Sequence, residues 1–285
     1  MLAAITRSYL RRVAGQTSEG SEPKWNNELR LAAVSHIHLL LRGGERQRLM
    51  QMAELDGLLR TTLSKSRSVS AARRIDAIRL LQQFGSEACI ARLREIFTRD
   101  RNAAVRLEAA FALAAVHALP PPRETIRILA MFERATNRLD SALLRATARE
   151  YTHQLILLLE DDVPVEKRAL VIDALGWSED HSVTPILQQA GQAREGELRS
   201  AALRAAGRLG NPAVAEWTLE LLNDPIPFVR IQAVNCCASL GLVSAVPELR
   251  TLLEDDDIWV RLRAEQALDT LLEDWPEYQP KGLVA

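Results

Sequence analysis

An arginine returns along this chain at a nearly fixed interval, and that interval narrows the folds open to it. Arg168, Arg199, Arg230 and Arg261 are evenly spaced, Arg106 lies two such intervals before Arg168, and Arg74 lies one interval and a single position more before Arg106. A period of about 31 residues marks one supersecondary unit that buries its apolar face only by stacking on its neighbours. The columns around the arginine keep register. Three residues after it stand Ala77, Ala109, Ala202, Ala233 and Ala264. Seven after it stand Leu81, Leu113, Leu175, Ala206, Cys237 and Leu268, and ten after it Phe84, Val116, Leu209, Leu240 and Leu271. Offsets of three, seven and ten share one face of an α-helix. The alanine column predicts close approach of neighbouring helices, since a larger side chain there would hold the backbones apart. Each unit then breaks, as at Leu209-Gly210-Asn211-Pro212 and Leu240-Gly241, where glycine takes a left-handed helix cap. A second apolar helix follows, with Ile90, Leu93, Ile96 and Phe97 in one unit and Val246, Leu249, Leu252 and Leu253 in another.

These units resemble HEAT repeats, in the short bacterial form associated with phycobilisome lyase subunits. Residues 227–255, PFVRIQAVNCCASLGLVSAVPELRTLLED, are close to that family's consensus, and the resemblance extends over about 68–272. It implies an all-α fold, an α-solenoid of stacked antiparallel helix pairs with about seven units. It implies little about function, because such repeats serve scaffolds, lyases and a few enzymes alike.

Composition fits that architecture: 47% of the residues are hydrophobic but only 5% are aromatic, so the core is built from Leu, Ala, Val and Ile. A solenoid buries apolar surface between successive repeats, so the length does not demand separate globular domains. Cys89, Cys236 and Cys237 lack metal-ligand spacing and read as buried, reduced thiols. No apolar run approaches the roughly 18 residues of a membrane span, and no signal peptide is recognisable, so the expected location is cytoplasmic, with association to a membrane surface as its extension. The net charge of −1 conceals an asymmetry. Residues 1–150 hold 25 Lys and Arg against 15 Asp and Glu, whereas residues 151–285 hold 11 against 22. Along a solenoid such a difference becomes a dipole whose basic end prefers an anionic neighbour; drift in surface composition is the plain alternative.

The chain divides on this reading into five stretches. Residues 1–26 form a basic amphipathic segment and linker, and 27–136 form basic HEAT-like repeats. Residues 137–163 form one irregular long helix or a compressed repeat, because Arg145 stands too close before Arg168 for a full helix pair to fit between them. Residues 164–275 form acidic HEAT-like repeats closed by a capping helix that Trp275-Pro276 stops, and 276–285 form a tail. Within 1–14, Leu2, Ile5, Tyr9 and Val13 make one helical stripe, with Arg7, Arg11 and Arg12 away from it. That pattern reads either as a peripheral membrane contact or as an N-terminal cap on the first repeat.

Three sets of residues are candidates for function. Phe228 and Trp259 stand two residues before the column arginine in successive units, and large aromatics beside arginine suit the centre of a protein interface; covering their own loops is the competing reading. Arg60, Lys65, Arg67, Arg73 and Arg79 make the densest basic stretch, with only Asp76 against them in sequence, and are expected to face an anion. The third set is structural. Asp100, Asp162, Asp224 and Asp255 stand six residues before Arg106, Arg168, Arg230 and Arg261, and with Arg74 and Arg199 they are expected to form a ladder, one rung per unit. No catalytic, cofactor-binding or metal-binding residue is expected. His36, His38, His117, His153 and His181 form no His-x-x-x-His pair, and none precedes a glutamate, which sets aside the iron-binding hydroxylase branch that repeats a His-Glu dipeptide. Phosphate-loop and nucleophile-elbow motifs are likewise missing from the sequence.

The function expected from these features is that of a non-enzymatic scaffold or adaptor that binds another protein. The arrangement resembles bacterial HEAT proteins that accompany membrane glycosyltransferases in polysaccharide synthesis. The alternatives are a lyase- or chaperone-like subunit handling a cofactor or a modified protein, and nucleic-acid binding through the basic N-terminal half. Duplex binding along a whole groove is not expected, since the second helices mix signs, as at Arg92 with Glu95 and Glu248 with Arg250.

Overall fold

The computed structural model describes residues 1–16 and 25–274. Most of the linker, the Trp275-Pro276 stop and the tail 276–285 lie outside the described residues. Sixteen α-helices and no strand occur among those described, and the chain divides into two compact units, Met1–Leu119 and Pro120–Ala285. The fold is all-α, built of stacked helix pairs. The division falls at the Pro120-Pro121-Pro122 run.

The first unit holds α1 (Leu2–Val13), α2 (Asn27–Leu40), α3 (Gly43–Leu55), α4 (Leu58–Lys65), α5 (Ala71–Phe84), α6 (Glu87–Arg99) and α7 (Ala103–Ala115). The helix expected at 1–14 forms, and three of the four residues of its stripe face the core. Ile5, Tyr9 and Val13 are buried in a core with Leu31, Val34, Ile37, Leu49, Ala53 and Leu58. What α1 turns outward is Leu2, Arg7, Leu10 and Arg11. Asp56, just after α3, anchors the helix: it accepts from the Tyr9 hydroxyl at 2.7 Å, from Arg12 at 2.9 Å and from Arg30 at 2.6 Å. Burial first, and the bond to Asp56 after it, push the Tyr9 phenol up to about 12. Burial alone would raise the Asp56 carboxyl, but its bonds from Arg12 and Tyr9 outweigh burial and hold it below its ordinary range.

These opposite shifts predict two pH limits. The lowered Asp56 contributes stability present above the usual aspartate value of about 3.9 and lost as pH falls through the folded value. The raised Tyr9 contributes stability present below about pH 10 and lost as pH rises from there toward its folded value. Urea midpoints of the full chain should therefore drop on both sides of a plateau. Tyr9→Phe should flatten the alkaline limb and shrink the acid limb only in part, since Arg12 and Arg30 still hold Asp56; an alkaline limb unchanged in that variant would count against the role given to Tyr9.

The second unit holds α8 (Pro122–Leu129), α9 (Arg138–Leu158), α10 (Val165–Leu175), α11 (Thr184–Gly191), α12 (Gly196–Leu209), α13 (Ala215–Glu220), α14 (Pro227–Ser239), α15 (Val246–Thr251) and α16 (Ile258–Asp274). Here α9, α10, α12, α14 and α16 stack each on the next, while α11, α13 and α15 form the second layer, each packed on the arginine-bearing helix that follows it. The caps read from sequence are present: Gly210 and Gly241 take φ of +71° and +63°. Helix α9 is a single span in which Tyr151 leaves helical geometry at φ −126°, ψ 33°, so the compressed stretch is two helical pieces joined by a kink. The buried Lys167 ties α10 to the loop between α8 and α9, donating to the carbonyls of Met131 and Arg134 and to Thr136 Oγ1 at 2.8, 2.6 and 2.9 Å. Three acceptors saturate an ammonium, which is what makes its burial tolerable. A close helix approach falls outside the alanine column, at Gly176, where an added Cβ would lie 2.5 Å from the Cα of Ala205.

Candidate functional site

The arginines and aspartates form rungs with one geometry. Arg74 donates from Nε and Nη2 to both oxygens of Asp100 at 2.7 and 2.9 Å, Arg199 does so to Asp224 at 2.6 and 2.9 Å, and Arg230 to Asp255 at 2.8 and 2.7 Å. Each aspartate therefore takes the arginine of the preceding unit. Its main-chain carbonyl meanwhile accepts from the arginine of its own unit, as Asp100 does from Arg106, Asp224 from Arg230 and Asp255 from Arg261. The carboxylate also accepts from the amide two residues on, at 2.9 Å for Asn102 and Ile226 and 2.8 Å for Asp257. One aspartate thus fixes the loop and joins two units. Asp162 departs from the expected set: it is exposed and takes no part in the rungs, because the kinked α9 replaces the helix pair that would supply an arginine. Arg168 departs too, for its Nε is buried and has no hydrogen-bond partner.

A cleft of about 420 Å³ opens on the arginine-bearing helices of the second unit, lined by Arg145, Asp173, Arg204, Arg208, Gln232 and Asn235 among others. Asp173 is buried and accepts from Arg145 Nε at 2.7 Å and Arg204 Nε at 2.9 Å. The guanidinium of Arg208 lies over the Trp177 ring, 3.8 Å from its centroid, with that of Arg145 at 5.6 Å. Three arginines against one aspartate leave the cleft cationic inside the stretch whose sequence is acidic. The sequence reading missed it by looking to the second helices. The signal was the register: Asp173, Arg204 and Asn235 each stand five residues after a column arginine, and Trp177 and Arg208 nine after. Cys236 also lines the cleft, but burial pushes its thiol up to about 12, far from a reactive thiolate at neutral pH.

The two candidate aromatics sit in the first turns of α14 and α16. Phe228 is 44% exposed and its ring packs over Gly196, where an added Cβ would lie 3.1 Å from its Cζ. Trp259 is 62% exposed and its neighbour Ile258 63%. Both project outward because Val260, the next residue, is fully buried and fixes the helix register. Phe228 therefore covers the unit before it, whereas Trp259 and Ile258 present apolar surface.

The basic stretch is less free than its sequence suggests. Lys65 pairs with Glu28 at 3.0 Å and Arg79 with Glu108 at 2.7 Å, acids that lie far away in sequence. The bond from Lys65 holds Glu28 below its ordinary value, and the bond from Arg79 to Glu108 raises Arg79. Arg60, Arg67 and Arg73 remain exposed, Arg73 in a cleft it shares with Glu28 and Asp76. Among the described residues no group of three or more His, Cys, Asp and Glu is placed to hold a metal ion, and no helix is long and apolar enough to cross a membrane.

The rungs and paired helices match a known repeat. The sequence profile for HEAT repeats matches residues 186–269. That stretch of the chain carries HEAT repeats. No curated protein matches it. Among solved structures it is similar to human deoxyhypusine hydroxylase in complex with glycerol, at 16% identity over 95% of this chain and 96% of that one, with a TM-score of 0.38. It is also similar to a mutant of Kap121p, at 14% identity over 97% of this chain and 38% of that one, with a TM-score of 0.45. The complex of CpcE and CpcF of phycocyanin lyase from Nostoc sp. gives 16% identity over 90% and 98%, with a TM-score of 0.26. Scores so low say nothing of what this chain binds or does.

Proposed function

We propose that this chain is a non-enzymatic adaptor that binds another protein, and that the edge formed by Ile258 and Trp259 is a principal contact. The observation that carries the reading is their exposure on a helix whose other face is packed: two large apolar side chains side by side in water are costly unless a partner covers them. The cationic cleft beside Trp177 supplies a second, polar contact of the kind that sets specificity. The finer reading places the adaptor at a cytoplasmic membrane surface beside a membrane enzyme such as a polysaccharide glycosyltransferase. It rests on Arg7 and Arg11, which α1 turns outward beside Leu2 and Leu10 while Ile5, Tyr9 and Val13 stay in the core.

The test is a pull-down of the tagged full chain from detergent-solubilised cells of its own source, with the Ile258→Ser, Trp259→Ala double variant beside it. The variant is expected to melt as the parent does and to lose the proteins the parent retains. A membrane enzyme among the lost proteins carries the finer reading. Retention of the same proteins by the variant would show that the edge is not the contact.

A further inference from the structure

One rung of the ladder is built without its carboxylate. Ala193 stands one repeat period before Asp224, and its carbonyl accepts from Arg199 Nη1 at 2.9 Å. That is the bond the carbonyls of Asp100, Asp224 and Asp255 accept from Arg106, Arg230 and Arg261. The backbone at 193 is therefore in ladder register and only the side chain differs. In the two following units the aspartate reaches the arginine 25 residues earlier, and the same step back from Ala193 lands on Arg168. Its Nε is the buried group left without an acceptor, a condition that costs free energy wherever it persists.

Arg168 and Ala193 line one cavity of about 350 Å³, with Leu159, Ile172, Ile186 and Leu198 as apolar walls and Gln189 as an amide. Glu195, exposed at the start of α12, lines it as well. The volume is that of a site for a small ligand. Among its lining groups is a buried, unsatisfied guanidinium nitrogen whose counterparts in three other units all bind a carboxylate.

We propose that this cavity binds a monocarboxylate carried on a small apolar body, the carboxylate bonding Arg168 as Asp224 and Asp255 bond Arg199 and Arg230. A single arginine with Glu195 close by fits one negative charge better than the two of a phosphate, and the aliphatic walls fit a branched or short straight chain. Two sources share this chemistry, a free short-chain acid and the C-terminal residue of another protein. The inference does not depend on the adaptor reading and stands or falls apart from it.

The experiment is calorimetric titration and thermal melting of the full chain with isovalerate, with N-acetyl-glycyl-leucine, and with isovaleramide as the uncharged control. Either carboxylate should bind and raise the melting temperature, the amide should do neither, and which acid binds more tightly distinguishes a free acid from a chain terminus. Ala193→Asp should raise the melting temperature without ligand, because the chain then supplies its own carboxylate, and should weaken carboxylate binding by about tenfold or more. Arg168→Gln, which keeps a polar side chain but removes the charge, should weaken binding to a similar degree, and it serves if the aspartate variant does not fold. The proposal is overturned if neither carboxylate binds, if the amide binds as well as the acid, or if both variants bind like the parent.

Discussion

Asp224→Ala is expected to lower stability by about 3–5 kcal/mol, read as a fall in the denaturant midpoint of the full chain. The size follows from what is left behind. Arg199 and Asp224 are 9% and 5% exposed, and the arginine places two N–H groups on the carboxylate at 2.6 and 2.9 Å. Deleting the carboxylate strands a buried guanidinium and also frees the Ile226 amide that the same side chain accepts. Asp224→Asn should cost less, since an amide oxygen still accepts one of these bonds. The contrasting control is Glu108→Ala. Its partner Arg79 is 61% exposed in side-chain terms, and an exposed pair is worth about 0–1 kcal/mol. If the two alanine variants shift the midpoint equally, the rungs do not hold the units together and the account of the ladder fails.

How the rungs connect could not be read from the period. Periodicity aligns equivalent residues of different units, so it identified Arg74, Arg199 and Arg230 and the aspartates Asp100, Asp224 and Asp255 as a set. It could not say that each aspartate binds the arginine of the unit before it, because both pairings share the same spacing pattern. The same limit explains Asp162. Its column position is correct, but column position carries no information about whether the preceding unit is complete, and there the kinked α9 stands in place of a pair. Two other limits come from distance along the chain. The basic stretch counted only Asp76 against it, since Glu28 and Glu108 reach it only after folding. The stripe on α1 gave its amphipathic character and not what it packs on; Asp56, forty-seven residues after Tyr9, is the residue that decides it. The caps and the helix faces were legible because each depends on residues within one or two turns.

Gly176→Ala gives the second large effect, an expected loss of about 1–3 kcal/mol, and it sets two opposing terms against each other. Gly176 caps α10 with φ −63° and ψ −11°, a conformation any residue adopts. Alanine should therefore stabilise there by about 0.4–1 kcal/mol through the unfolded chain, if nothing else changed. Against this, the new Cβ would stand 2.5 Å from the Cα and 2.8 Å from the carbonyl oxygen of Ala205. Both are backbone atoms of α12, so no side chain can turn aside, and the two helices must separate. Separation reaches the cleft as well, because Asp173 on α10 accepts from Arg204 on α12 at 2.9 Å and Trp177 follows Gly176 directly. Gly210 is the matched control. Its φ of +71° strains alanine, yet nothing lies within 4 Å of an added Cβ, so that cost is conformational alone, about 1 kcal/mol. A Gly176→Ala chain with a midpoint below the parent's, and a weakened contact between Arg208 and Trp177 seen as altered tryptophan emission, would show that contact between α10 and α12 fixes the cleft. A midpoint at or above the parent's would show that α10 and α12 can move apart freely, and a cleft whose walls are free to move could not hold three arginines in the geometry that recognition requires.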